Sequence, residues 1–182
     1  MLLSQTDLEA FQAQYPDHRL ELVNGKVIVM SPSGYESDEV AAEAIRILGN
    51  WVRPRRLGRV AASSAGFRLP NASHDVRAPD ASFVSAERLR RSPQSFAELA
   101  PDLMVEVKSP TDRREDLEAK ISDFLSLGTQ VGLLIDPETQ TVAVYRAEQA
   151  TSILSNEDKL TVPDVLPGWE VSVSDLWPLV FE

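Results

Sequence analysis

Ten residues, Pro101-Asp102-Leu103-Met104-Val105-Glu106-Val107-Lys108-Ser109-Pro110, constrain this chain more than any other stretch. Prolines bound the run on both sides and its interior is short and apolar, so it reads as a β-strand. Side chains alternate faces along a strand. Leu103, Val105 and Val107 therefore share one face, suited to a core, while Met104, Glu106 and Lys108 share the other. A Glu and a Lys on an otherwise apolar strand need a reason, because a charge out of water is costly unless it is paired or binds a metal. Upstream, Ala78-Pro79-Asp80-Ala81-Ser82-Phe83-Val84 reads as a second short strand that opens with Pro-Asp.

Two readings of these charges stand side by side. In the first, Asp80 and Glu106 come together on neighbouring strands and hold a hard divalent cation, Mg²⁺ or Mn²⁺, through oxygen. The backbone carbonyl of Val107 is then a further ligand, and Lys108 orients the attacking water or stabilises charge developing on a phosphate. That is chemistry for cutting a phosphodiester. In the second, Glu106 and Lys108 are an ordinary ion pair on a half-exposed strand. Spacing alone does not separate the two.

The 182 residues suffice for one domain over 1–182 with a substantial core. Cysteine is absent, which excludes disulfides, zinc–thiolate sites and thiol nucleophiles. His18 and His74 each lack a second candidate ligand nearby, and no phosphate-cradling Gly-rich loop or Gly-x-Ser-x-Gly elbow occurs. No apolar run approaches the roughly 18 residues of a membrane span. The N-terminus lacks a basic region followed by an apolar core, so a cytoplasmic protein is expected. The formal charge of −10 argues against strong non-specific DNA binding. It is unevenly spread: from Arg46 to Arg91, ten Arg face three acids (Asp75, Asp80, Glu87), a local +7. The cluster Arg53-Pro54-Arg55-Arg56 with Arg59 could meet phosphate, or could be a solvated basic face or a dimer contact.

In chain order, Thr6-Asp7-Leu8-Glu9 has the spacing of a capping box and predicts a helix to about Gln14. Arg19–Val23 and Lys26–Met30, joined by Asn24-Gly25, predict a hairpin with a two-residue turn. Val40, Ala44, Ile47, Leu48 and Trp51 form one apolar stripe, predicting a helix from about Ser37 to Val52. Glu36 just before it suits the positive end of the helix dipole. Short strands are expected at Arg59–Ser63 and Phe67–Leu69, and a helix-and-loop excursion over 85–100. Thr111 or Asp112 can cap a helix that turns Leu117, Ile121, Phe124 and Leu125 inward and stops at Gly128. Lys120 on that helix faces solvent or folds back over the site. Val131–Pro137 is almost wholly apolar, as a strand buried on both faces would be. Thr141–Arg146 pairs beside it, and Thr151–Leu154 and Trp169–Val173 add edge strands. Asp136-Pro137 and Asp164 read as turn formers.

The order of these segments resembles the Uma-two family, a branch of the PD-(D/E)XK nuclease superfamily. The resemblance rests on Leu20–Lys26, Met30–Glu36, Gly66–Asn71, Ala78–Val84, Pro101–Pro110, Lys120 and Val131–Pro137. It implies an α/β fold with a restriction-endonuclease-like core, a mixed β-sheet flanked by helices, an N-terminal hairpin and C-terminal edge strands. It also implies a Mg²⁺-dependent endonuclease acting on DNA, as a homodimer or larger homo-oligomer. Carried over by position, Asp80 and Glu106 are the metal ligands, and Glu36 lies near the first-helix acid. Lys108 is the lysine of the Glu-x-Lys motif, although many relatives place theirs where Lys120 stands. Glu21 matches a family acid in the hairpin that would support the site. A domain that keeps the nuclease fold but only binds nucleic acid, or serves as a scaffold, is the alternative.

Overall fold

The computed structural model describes residues 2–181, so Met1 and Glu182, the ends of the expected domain, lie outside it. Its elements in chain order are α1 (Gln5–Gln14), β1 (Arg19–Val23), β2 (Lys26–Met30), α2 (Tyr35–Arg55), β3 (Gly58–Ala62), β4 (Phe67–Arg68), β5 (Val76–Arg77), β6 (Ala81–Ser85), β7 (Leu103–Val107), α3 (Arg114–Ser126), β8 (Val131–Asp136), β9 (Thr141–Tyr145), β10 (Ser152–Leu154), β11 (Lys159–Thr161) and β12 (Glu170–Ser172). A 3-10 turn at Val173–Leu176 follows.

The central sheet has the order β10-β9-β8-β7-β6-β3. Only β7 and β8 run parallel in it, with α3 as the crossover; the other pairs are antiparallel. Parallel neighbours need such a crossover, and both strands are buried at every residue, as strands covered on both faces must be. The predicted alternation holds. Leu103, Val105 and Val107 pack with Val40, Ala44, Leu48 and Val52 of α2, and Met104 packs with Ile121 and Phe124 of α3. A smaller sheet, β2-β1-β5-β4, carries α1 over Leu8, Leu22 and Val76. Asn24 and Gly25 turn the hairpin with φ of 50° and 69°, the two positive values that a twisted two-residue loop requires. No described helix is long and apolar enough to cross a membrane.

α3 sits close on the sheet because β8 carries glycine beneath it. A Cβ at Gly132 would lie 2.4 Å from Ile121 Cγ2, a branched methyl with no freedom to swing away. Gly132→Ala is therefore expected to push α3 outward and cost about 1–3 kcal/mol, read by urea unfolding. An unchanged midpoint would show that the helix tolerates displacement.

Several local expectations give way to tertiary contacts. The capping box belongs to Ser4 and Asp7, not Thr6 and Glu9: Ser4 N–H donates to Asp7 Oδ2 (2.7 Å) and Asp7 N–H to Ser4 Oγ (3.3 Å). Leu3 N–H bonds the Gly25 carbonyl (2.8 Å) and so fixes where the chain enters the helix. Asp112 does not cap α3; it turns back to accept the Ser109 N–H (2.8 Å), and Arg113 takes the N-cap position. The stretch 85–100 holds no helix. It is pinned by buried Asp102, whose carboxylate accepts from Ser85 N–H (2.7 Å), Arg88 (2.6 Å) and Gln130 (2.9 Å). Trp169–Val173 joins no edge of the central sheet; β12 pairs with β11 in a separate two-stranded sheet.

Candidate active site

The register of β6 on β7 places Ala81 opposite Val105, so one residue further along Asp80 stands opposite Glu106. Glu106 shares its strand face with Met104, the face that α3 covers. Asp80 Oδ2 accepts the Val107 N–H at 2.8 Å. Within a strand the N–H and C=O of one residue point the same way, so the Val107 carbonyl also faces the end of β6 where Asp80 stands.

Above Glu106 lies Lys120, delivered by α3. It precedes Ile121, whose side chain docks the helix on Gly132, and it leaves the helix about 100° around the axis from that anchor. Its Nζ is 2.9 Å from Glu106 Oε1 and donates to Glu106 Oε2 (3.1 Å) and to the Ala78 carbonyl (3.0 Å). Glu21 of β1 completes the cluster. Its Oε1 lies 3.5 Å from Lys120 Nζ and accepts the Ala78 N–H at 3.0 Å, and its Oε2 lies 3.6 Å from Arg77 Nε. Glu106, Lys120 and Glu21 are only 3%, 7% and 4% exposed.

Burial pushes the Glu106 carboxyl up to about 7; the Lys120 ammonium pulls against this, while Asp80 and Glu21 add to it. Burial also raises Asp80, against the Val107 N–H and the charges of Lys120 and Arg19. Burial works against the charge on Lys120, but Glu106, Glu21 and Asp80 outweigh it and hold the ammonium above its ordinary value. Glu106 Oε1 touches that ammonium without the alignment of a hydrogen bond and has no hydrogen-bond partner among the described residues. A buried acceptor left in this state is suited to a cation.

The donors around this point are all oxygen: the Asp80 and Glu106 carboxylates and the Val107 carbonyl. Such a set fits Mg²⁺ or Mn²⁺, which need only one or two carboxylates beside water and phosphate. Among the described residues no group of three or more His, Asp or Glu forms a protein-only cage.

Two residues singled out in the sequence stay outside the cluster. Lys108 leaves the end of β7 and pairs with Glu138 at 3.3 Å. Glu36 is exposed in the first turn of α2 and makes no hydrogen bond or ion pair among the described residues. The first-turn residue turned inward is Ser37, whose hydroxyl meets that of Ser109 at 2.7 Å. Six of the ten Arg in the basic window are engaged by contacts within the chain, while Arg53, Arg56, Arg90 and Arg91 stay exposed. Arg46 pairs with Glu43, Arg68 with Glu98, Arg77 with Asp123 and Arg88 with Asp102. Arg59 binds the carbonyls of Leu89 and Arg90, and Arg55 stacks 3.6 Å over Trp51. Arg19, which sequence reasoning passed over, reaches the site instead, donating to the Ala78 carbonyl at 3.4 Å. Its signal was its place two residues before Glu21, on the same face of β1.

Comparison with known proteins agrees with this architecture. A family model, Uma2, described as "Putative restriction endonuclease", matches residues 6–174. A solved structure from Anabaena variabilis ATCC 29413, described as a "putative nuclease belonging to DUF820", is 28% identical with a TM-score of 0.75. The match covers 86% of this chain and 88% of that one. No curated protein matches the chain.

Proposed function

Because this chain belongs to the Uma2 restriction-endonuclease family, we propose that it is a metal-dependent endonuclease hydrolysing phosphodiester bonds of DNA. One observation carries the reading: Asp80 and Glu106, far apart along the chain, stand opposite each other across β6 and β7, with Asp80 bound to the Val107 amide and the Lys120 ammonium on Glu106. Asp80, Glu106 and Val107 would hold the cation. A divalent ion bound there supplies a Lewis acid for the phosphate and lowers the pKa of a coordinated water.

The chain's own groups divide the remaining work. The raised pKa of Lys120 keeps it protonated, so it acts as a hydrogen-bond donor and not as a base. It is placed to hold the attacking water or to stabilise charge developing on the phosphate. Glu21 and the Ala78 carbonyl hold its ammonium, and Glu21 also fixes the Ala78 amide two residues before Asp80. The Val107 N–H orients the Asp80 carboxylate.

Calorimetric titration with Mn²⁺ tests the site. Glu106 must give up its proton to bind a cation, and burial holds that proton up to about 7. The affinity is expected to fall by about tenfold for each pH unit below that value and to level off above it. The buried Glu106–Lys120 pair also permits a second reading, a domain whose charges are satisfied without metal and which binds nucleic acid without cutting it. Absence of Mn²⁺ and Mg²⁺ heat at pH 8, together with salt-sensitive DNA binding, would select that second reading.

A further inference from the structure

Arg19 is a half-buried guanidinium that lacks an acid. Arg46, Arg68, Arg77, Arg88, Arg114 and Arg146 all have carboxylate partners, whereas Arg19 makes no ion pair among the described residues. Among the described residues its one hydrogen bond is the long contact from NH2 to the Ala78 carbonyl, and its buried Nε has no partner. A fork of donors with most positions unfilled is poorly satisfied by protein, since removing such groups from water is costly without acceptors.

Its location says what the missing acceptor is. Arg19 and Lys120 converge on the same Ala78 carbonyl, two residues before Asp80. The positive charge of Arg19 is felt at the Asp80 carboxylate, where it favours ionisation. Beside it opens a cavity of about 460 Å³ whose polar lining includes Arg19, Arg77, Gln12, His18 and Ser64, with Asp17 as its single carboxylate, and which reaches to Ala78. A guanidinium matches phosphate with two parallel bonds, which a carbonyl cannot return.

We propose that Arg19 is a substrate-binding residue that grips a backbone phosphate of the nucleic-acid strand entering this cavity, whose wall reaches Ala78, two residues before Asp80. The inference rests on the nuclease reading and assigns that site its phosphate contact on the β1 side. It replaces the exposed Arg cluster at 53–56, read from the sequence as a possible phosphate patch, with a single residue built into the site wall.

The test is fluorescence anisotropy with a fluorescein-labelled DNA duplex and with the single strand, in Ca²⁺, over a range of salt. Gel analysis in Mg²⁺ follows on the same proteins. Arg19→Gln is expected to weaken binding by about tenfold or more and to reduce the slope of log affinity against log salt by about one, the loss of one phosphate contact. Arg19→Lys keeps the charge, so its slope is expected to stay while affinity falls less. Melting temperature is expected to match wild type in both variants, and Mn²⁺ affinity is expected to match it in Arg19→Lys, which keeps the charge felt at Asp80. Wild-type binding and slope retained in Arg19→Gln would overturn the role of Arg19 and leave the nuclease reading standing. A changed melting temperature with an unchanged slope would mark Arg19 as structural and overturn it too. A wild-type protein that binds neither duplex nor single strand would overturn both proposals.

Discussion

Replacing Lys120 with methionine is expected to lower DNA cleavage by about 10²–10³-fold, the usual cost of losing one donor aimed at developing charge. The same change at Lys108 is expected to leave the rate within about threefold. Lys108 belongs to a pair whose partner Glu138 is 78% exposed, and pairs with an exposed member contribute little. Lys120 is buried among Glu106, Glu21 and Asp80, so its removal strands acids out of water. Stripping one partner from a buried pair costs about 3–5 kcal/mol. That loss depends on pH in a defined sense. The carboxyl of Glu106 is raised by burial from its ordinary 4.5 to about 7 even with Lys120 present. The folded state therefore favours the protonated form, whose benefit is complete below about 4.5 and is lost as pH rises through 7. Without Lys120 the deficit is expected to be largest near pH 8 and to shrink toward pH 5. Urea unfolding of the variant at both pH values reads it directly. Equal loss of cleavage in the two lysine variants would remove Lys120 from its assigned role.

Glu106→Gln separates chemistry from folding. The amide keeps the shape of the side chain and can still accept from Lys120, whose charge retains Glu21 as a partner. The variant is expected to fold, to lose Mn²⁺ heat in calorimetry, and to cleave supercoiled plasmid at least about 10³-fold more slowly, since it removes a carboxylate proposed to hold the cation. Plasmid nicking at the wild-type rate by Glu106→Gln, with Mg²⁺ supplied, would sink the metal site. Nicking abolished while Mn²⁺ binds as before would move the cation elsewhere and leave Glu106 a different task.

Much of this protein can be read from local pattern. Asn24-Gly25 supplies a turn that few other pairs could make, because both residues carry positive φ. The alternation at 103–107 sorts the side chains into two faces, one of which the structure covers with α2 and the other with α3. The same period of two puts Glu106 on an apolar face where a charge demands a partner, and Pro-Asp at the head of β6 supplies the second acid. The short strands β5 and β11 escaped notice because two or three residues carry too little pattern to rise above their loops. The helix expected within 85–100 fails because Asp102, distant from most of that segment, pins the chain through Ser85 and Arg88.

The identity of the lysine shows where sequence stops. Along β7, Glu106 and Lys108 look like natural companions, two residues apart on one face. Period two specifies a face only while the strand lasts, and the described strand ends at Val107. Beyond it Lys108 turns to Glu138, while Lys120 reaches Glu106 because Gly132 lets α3 settle close enough to bring it over the strand. Alternation and turn chemistry act between near neighbours and are written in the residues themselves. Which ammonium meets a buried carboxylate depends on the height and rotation of a packed helix, set by contacts that exist only once distant segments have come together.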